Sequence, residues 1–147
     1  MRTLTAIFII LAVASCAGMP GQATGERGAT MAVPTAQNLL GTEWILEDLG
    51  GAGVLDRVQA TLSFPEAGRV AGGGSCNRFT GSVEVGSGVI RFGQLATTRR
   101  ACVPAVMDQE GKYLRALAQA ERVAMEGPYL LIYSKGLEKP LRFTRKE

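Results

Sequence analysis

Short runs of alternating apolar and polar residues, separated by glycine or proline, make up most of the chain after residue 40. A period of two and closely spaced turn residues are typical of β-strands. Such short strands can each bury one face when the sheet curves and closes, or nearly closes, on itself. The runs predict strands over residues 44–46, 60–64, 69–71, 77–85, 89–92, 122–125, 129–133 and 141–143.

One segment, residues 105–120, has the spacing of a helix instead. Met107, Tyr113 and Leu117 fall largely on one face, and Asp108 and Glu110 lie in the first turns, where the helix dipole favours acidic residues. We therefore expect a mainly β, α+β fold, with a small antiparallel, barrel-like sheet covered by a single helix.

The first 16 residues read as a targeting segment. Arg2 precedes an apolar run of about 11 residues, which is short of the roughly 20 that a membrane-spanning helix needs. The run ends in Val-Ala-Ser-Cys at residues 13–16, which resembles the lipobox of bacterial lipoproteins. The resemblance implies a signal peptide over residues 1–15, a lipid anchor on Cys16 and, because Ala17 follows, an outer-membrane lipoprotein facing the periplasm. A plain cleavable signal peptide is the alternative.

Residues 16–38 contain many small residues and few large apolar ones, so they predict a flexible Gly/Pro-rich tether. Residues 39–147 then form one domain of common size.

The charge balance is mild, with 16 basic and 13 acidic residues. This excludes an argument for nucleic-acid binding, which needs clustered basic residues on one face. Basic residues do gather near the C terminus, and we interpret them as a solvated edge, with a site for an acidic partner as the alternative. They are Lys135, Lys139, Arg142, Arg145 and Lys146.

Histidine is absent from the sequence, which removes Ser-His-Asp and Cys-His catalytic arrangements and the familiar His-bearing zinc sites. The glycines at residues 72–74 lack the lysine and the following helix of a phosphate-binding loop. Glu43, Glu47 and Asp48 beside Trp44 are interpreted as the polar face of an edge strand. The sequence therefore predicts no catalytic residue, no metal and no cofactor.

Cys76 and Cys102 remain once Cys16 is assigned to the lipid. In an oxidising envelope two such cysteines are expected to pair, which would stabilise the fold by roughly 3.5 kcal/mol. Two free thiols with a redox or metal-binding role are the alternative.

Around these cysteines the sequence resembles a known family. Gly-x-Cys-Asn-Arg-Phe-x-Gly at residues 74–81, Thr-Arg-x-x-Cys at residues 98–102 and a helix bearing Glu110 are similar to the META domain of the HslJ-like lipoproteins. The resemblance covers almost the whole domain. It implies a β-rich fold with one helix, secretion or lipid anchoring and, in some members, a link to heat shock, antibiotic tolerance or motility. It implies no catalytic residues.

The two motifs allow two interpretations of their polar residues. Asn77 can hydrogen-bond its own turn, and Arg78 and Arg99 can donate to carboxylates or carbonyls, so these residues and Thr98 could form a buried polar latch beside the disulfide. Alternatively, Arg78, Arg99 and Arg100 rim a shallow site for an anion or a peptide.

Three classes of function remain open at this point. The first is a non-enzymatic, monomeric envelope lipoprotein that binds an envelope protein or supports outer-membrane integrity under stress. The second is a carrier that holds a small apolar ligand in the barrel, which predicts an internal cavity. The third, a hydrolase, is disfavoured because no Gly-x-Ser-x-Gly motif or histidine is present.

Overall fold

Eight antiparallel strands close into a barrel in the computed structural model, which describes residues 30–147. The described residues form eleven strands, eight of which make up the barrel: Met31–Ala32 (β1), Glu43–Leu49 (β2), Ala52–Gly53 (β3), Thr61–Ser63 (β4), Arg69–Gly73 (β5), Arg78–Gly86 (β6), Val89–Phe92 (β7), Ala96–Thr97 (β8), Ala120–Glu126 (β9), Tyr129–Ser134 (β10) and Leu141–Arg145 (β11). The helices are Ala36–Leu39 (α1) and Pro104–Ala118 (α2). The predicted signal peptide, the lipidation site at Cys16 and the first part of the tether lie outside the described residues.

The barrel follows the order β9-β10-β11-β2-β4-β5-β6-β7 and closes where β7 pairs with β9, Val89 opposite Arg122. All eight strands predicted from the sequence are present, and the predicted helix is α2, so the expected fold class is confirmed. Strand β2 pairs with β11 on one side and with β4 on the other. The interpretation of Glu43, Glu47 and Asp48 as an edge strand is therefore wrong.

The start of the domain lies further toward the N terminus than predicted. Strand β1 pairs with β9, and Thr35 caps α1 through a capping box with Asn38. Leu39, at the end of α1, is 1% exposed and belongs to the core. Residues 31–38 are thus part of the folded domain and not of a flexible tether, because their backbone has strand and helix partners that composition alone does not reveal.

Large side chains fill the interior of the barrel. Tyr113 enters from α2 and packs edge-on against Phe79 and at a tilt against Phe143, and its hydroxyl donates to the Thr61 carbonyl at 3.1 Å. All three rings are at most 1% exposed. Burial raises the pKa of Tyr113 well above its ordinary value of 10. The carrier alternative predicts an internal cavity. These side chains occupy the interior instead, so the structure does not support that alternative.

The two ends of the barrel differ in what covers them. Glu43 and Arg145 mark the end at which the described chain enters and α1 packs, whereas Leu49 and Leu141 mark the opposite end. Helix α2 and the turn after β10 lie at that opposite end, which we call the distal end. No helix among residues 30–147 is long and apolar enough to cross a membrane.

The basic residues near the C terminus are exposed, as predicted. Two of them pair with β2: Lys146 contacts Glu43 at 2.9 Å, and Arg142 lies 3.5 Å from Glu47. These exposed pairs contribute on the order of 0.5 kcal/mol each.

Candidate functional site

A tight turn between β5 and β6 forms around the carboxylate of Glu110 at the distal end. The backbone N–H groups of Cys76 and Asn77 donate to Glu110 Oε2 at 3.0 and 2.5 Å, and Asn77 Nδ2 donates to Oε1 at 2.8 Å. Glu110 is 5% exposed and takes part in none of the ion pairs formed within residues 30–147. Three N–H donors therefore stabilise its buried carboxylate in place of a cation.

Asn77 continues the network from the turn to the segment before the second cysteine. Its Oδ1 accepts from the backbone N–H of Arg100 at 2.7 Å and from the Thr98 hydroxyl at 2.9 Å. Its Nδ2 also donates to the Arg100 carbonyl at 3.3 Å. Both ends of the side-chain amide are occupied, which explains why an amide is needed at this position.

The disulfide lies directly beside this network. Cys76 and Cys102 are joined with a Cα–Cα distance of 6.1 Å, so the predicted pairing is confirmed. The bond ties the turn before β6 to the start of α2, and Asn77 ties the same turn to residues 98–100. Two independent links therefore hold the segment 98–102 against the barrel.

Gln109, next to Glu110 on α2, adds a third link at the distal end. Its Nε2 donates to the Ser75 hydroxyl at 2.9 Å, and its Oε1 accepts from the backbone N–H of Leu55 at 2.7 Å. Gln109 is 6% exposed. Ser75 itself has a φ of +108°, a left-handed conformation that a serine adopts only under constraint.

The glycines of the motif at residues 74–81 are required for a steric reason. A Cβ on Gly74 would lie 2.8 Å from Glu110 Oε2, and a Cβ on Gly81 would lie 2.8 Å from Leu95 Cδ2 and 2.9 Å from the Gln94 carbonyl. Only glycine allows the backbone to approach the carboxylate and the neighbouring loop this closely. The glycines, Asn77 and the cysteines of the motif thus serve one local structure.

The three arginines of the motifs lie outside this network. Arg78, Arg99 and Arg100 are exposed, and within residues 30–147 their guanidinium groups make no hydrogen bond or ion pair. Only the backbone of Arg78 and of Arg100 contributes to the latch. A polar latch is therefore present, but it is built from Asn77, Thr98 and Glu110 and not from guanidinium groups.

Sequence reasoning missed the role of Glu110. Its position near the start of a helix suggested a favourable interaction with the helix dipole, whereas its side chain is buried against a turn about 34 residues earlier in the chain. The available signal was the residue pattern itself: Gly74 leaves room near Cys76 for a buried acid, and Asn77 supplies a donor to it. Gln109 gave no comparable signal.

The latch is saturated with contacts from its own chain, so it offers no free carboxylate for acid–base chemistry. Among residues 30–147, no group of three or more cysteine, aspartate or glutamate side chains is placed to hold a metal ion. The three arginines are among the exposed polar groups at this end of the barrel.

Three features define this chain as a small β-barrel domain. They are the closed antiparallel barrel, the one long helix over its distal end and the disulfide-linked polar latch. A family model described as META domain matches residues 37–147, and the chain belongs to this family. The match begins within α1, so strand β1 lies just before the matched residues.

Two structures solved by NMR have the same fold. One is 24% identical and aligns over 76% of this chain and 95% of its own, with a TM-score of 0.63. The other, from Burkholderia xenovorans, is 25% identical and aligns over 87% of this chain and 99% of its own, with a TM-score of 0.62. Both relatives consist almost entirely of the aligned domain. No protein with a curated functional description matches this chain.

Proposed function

We propose that the chain is a non-enzymatic lipoprotein of the bacterial envelope that binds another protein through the exposed arginines of its distal end. The observation that carries the proposal is the trio Arg78, Arg99 and Arg100, whose guanidinium groups have no partner within residues 30–147 although the backbone beneath them is fixed by the disulfide and the latch. Because the backbone is already fixed, these guanidinium groups can bind carboxylates without the additional entropy cost of ordering a loop.

Two exposed apolar residues that follow Arg100 closely in the chain support a protein partner over a free inorganic anion. Val103 is 64% exposed, and Met107, one helical turn further along α2, is 39% exposed. A surface that combines arginines with exposed apolar side chains resembles the composition of protein interfaces, in which arginine and methionine are enriched. We expect the partner to present acidic and apolar side chains together.

Residue 30 lies at the end of the barrel opposite to α2. The predicted tether from Cys16 would therefore join the domain at the end away from the arginines. Mass spectrometry of the mature protein tests the anchor: acylation should disappear in Cys16→Ser, and the protein should then leave the outer-membrane fraction.

Site-specific photocrosslinking in intact envelopes tests the interaction. We expect a photoreactive residue at Val103 to capture a discrete protein, and the same residue at Leu40, which is 47% exposed at the opposite end, to capture none of it. Replacing the three arginines by glutamine should abolish the capture and leave thermal stability nearly unchanged. Identical capture from both positions, or no capture at all, would contradict the proposal.

The second part of the proposal is a role in outer-membrane integrity under stress, which the family resemblance suggests. Cells that lack the protein should admit more of a large hydrophobic dye after heat or antibiotic stress. The wild-type gene should restore the barrier and the triple arginine variant should not. Full restoration by the arginine variant would show that envelope integrity does not depend on the arginines of the distal end.

A further inference from the structure

A cleft of about 400 Å³ lies between the C-terminal half of α2 and two turns of the barrel, away from the latch. Three separate elements build it: α2, the turn between β2 and β3, and the turn between β10 and β11. Its volume falls within the range of roughly 300–1,000 Å³ that is typical of small-molecule sites.

The walls of the cleft are fixed to one another. The backbone N–H of Lys135 donates to the Gln119 carbonyl at 2.9 Å, which joins the β10–β11 turn to the end of α2. Gly50 and Gly51 have φ values of +71° and +98°, and a Cβ on Gly50 would lie 2.9 Å from Leu137 Cδ1. The β2–β3 turn therefore packs closely against Leu137, so the cleft exists without a ligand to form it.

The chemistry of the lining has two parts. Leu49, Ala116 and Leu137 provide apolar surface, and Leu137 is 38% exposed. Lys112, Arg115 and Lys135 provide positive charge, and no acidic residue lines the cleft.

Two of the three cations are available to a ligand. Lys112 forms an ion pair with Asp108 at 2.7 Å on the same helix. Arg115 and Lys135 take part in none of the ion pairs formed within residues 30–147. Two unpaired cations beside an apolar wall, with no acidic residue in the lining, complement a molecule that carries one anionic head and a short apolar chain.

We propose that this cleft binds a single-chain amphiphile with an anionic head group, the alkyl chain lying along Leu49 and Leu137 and the head group between Arg115 and Lys135. The site differs from the barrel interior, which side chains fill, and from the arginine surface used in the proposed function. The head group could be a carboxylate or a phosphate, since guanidinium and ammonium groups bind both.

Calorimetric titration of the purified protein with decanoate and with decyl phosphate, both below the concentrations at which they form micelles, tests this site. We expect saturable binding with one site per domain. The tighter of the two ligands identifies the head group. Shortening decanoate should weaken binding roughly two- to fourfold for each methylene removed from the cleft. Equal binding of decyltrimethylammonium would overturn the proposal, because that cation has the same chain and the opposite charge.

Matched variants locate the site. Arg115→Gln combined with Lys135→Gln should weaken decanoate binding about tenfold while the melting temperature stays the same. The control, Arg91→Gln combined with Arg145→Gln, removes the same charge from exposed positions outside the cleft and should leave the affinity unchanged. Any of three results would refute the site. They are equal weakening of decanoate binding in both pairs of variants, no saturable binding, and binding to phosphatidylglycerol vesicles without binding of decanoate.

Discussion

Replacing Asn77 by alanine should cost more stability than any exposed substitution in the domain. The side chain is 5% exposed and makes four hydrogen bonds: two through Nδ2, to Glu110 and the Arg100 carbonyl, and two through Oδ1, from Thr98 and the Arg100 N–H. A neutral hydrogen bond contributes about 1 kcal/mol and one to a charged group about 1.5–3 kcal/mol. The sum is about 5 kcal/mol.

Water can replace part of this loss, because Thr98 and Arg100 are exposed on their outer sides. We therefore expect Asn77→Ala to lower the free energy of unfolding by about 3–5 kcal/mol, a large share of the roughly 5–15 kcal/mol of a typical domain. Equilibrium urea unfolding of the oxidised 30–147 domain, at an unchanged m-value, measures it.

Two further variants make the prediction specific. Arg99→Ala changes only an exposed side chain and should shift the free energy of unfolding by less than about 0.5 kcal/mol. Asn77→Asp keeps the shape but places a second carboxylate against Glu110, so at neutral pH it should destabilise at least as much as alanine. A loss below about 1 kcal/mol for Asn77→Ala, or an equal loss for Arg99→Ala, would show that the latch does not stabilise the fold as reasoned here.

Three more outcomes follow from the same structure. Cys102→Ser should lower the free energy of unfolding by roughly 3.5 kcal/mol in urea, because it opens the loop closed to Cys76; a reducing agent should lower wild type equally and leave the variant unchanged. Gly74→Ala should cost about 1–3 kcal/mol by displacing Glu110, whereas alanine at Gly53, where a Cβ meets nothing within 4 Å, should be nearly neutral. Because burial raises the pKa of Tyr113, the unfolded chain loses the hydroxyl proton at a lower pH than the folded chain does. The free energy of unfolding should therefore fall as the pH rises above about 10. Urea unfolding measured as a function of pH should show a smaller fall for Tyr113→Phe than for wild type.

The fold could be read from local pattern to a large extent. Strands such as β7, Val89–Phe92, and the helix α2 were visible because alternation and helical spacing depend on neighbouring residues only. The short strands β1, β3 and β8 were not, since two residues carry no period. Their identity depends on the partner strand that supplies the hydrogen bonds.

The candidate site, too, could be predicted only in part from the sequence. Cysteine count and envelope context predicted the bond between Cys76 and Cys102 without coordinates, and the motif drew attention to Asn77. Whether arginine or glutamate would complete the latch was not decided by the pattern, because both residue types can hydrogen-bond the turn. The cleft beside Leu137 has no sequence signal, because its walls come from three distant segments.

By itself, then, the sequence determined the β-rich class and the resemblance to the family, and it favoured the disulfide, because each depends on residue type and local spacing. The tertiary structure decided what local spacing cannot express. It buried Glu110 in a turn far away in the chain, left the three arginines exposed at the surface and filled the barrel with Tyr113 and its aromatic neighbours. The physical reason is that hydrogen-bond partners and exclusion from water are properties of positions in space, which only the closure of the barrel brings together.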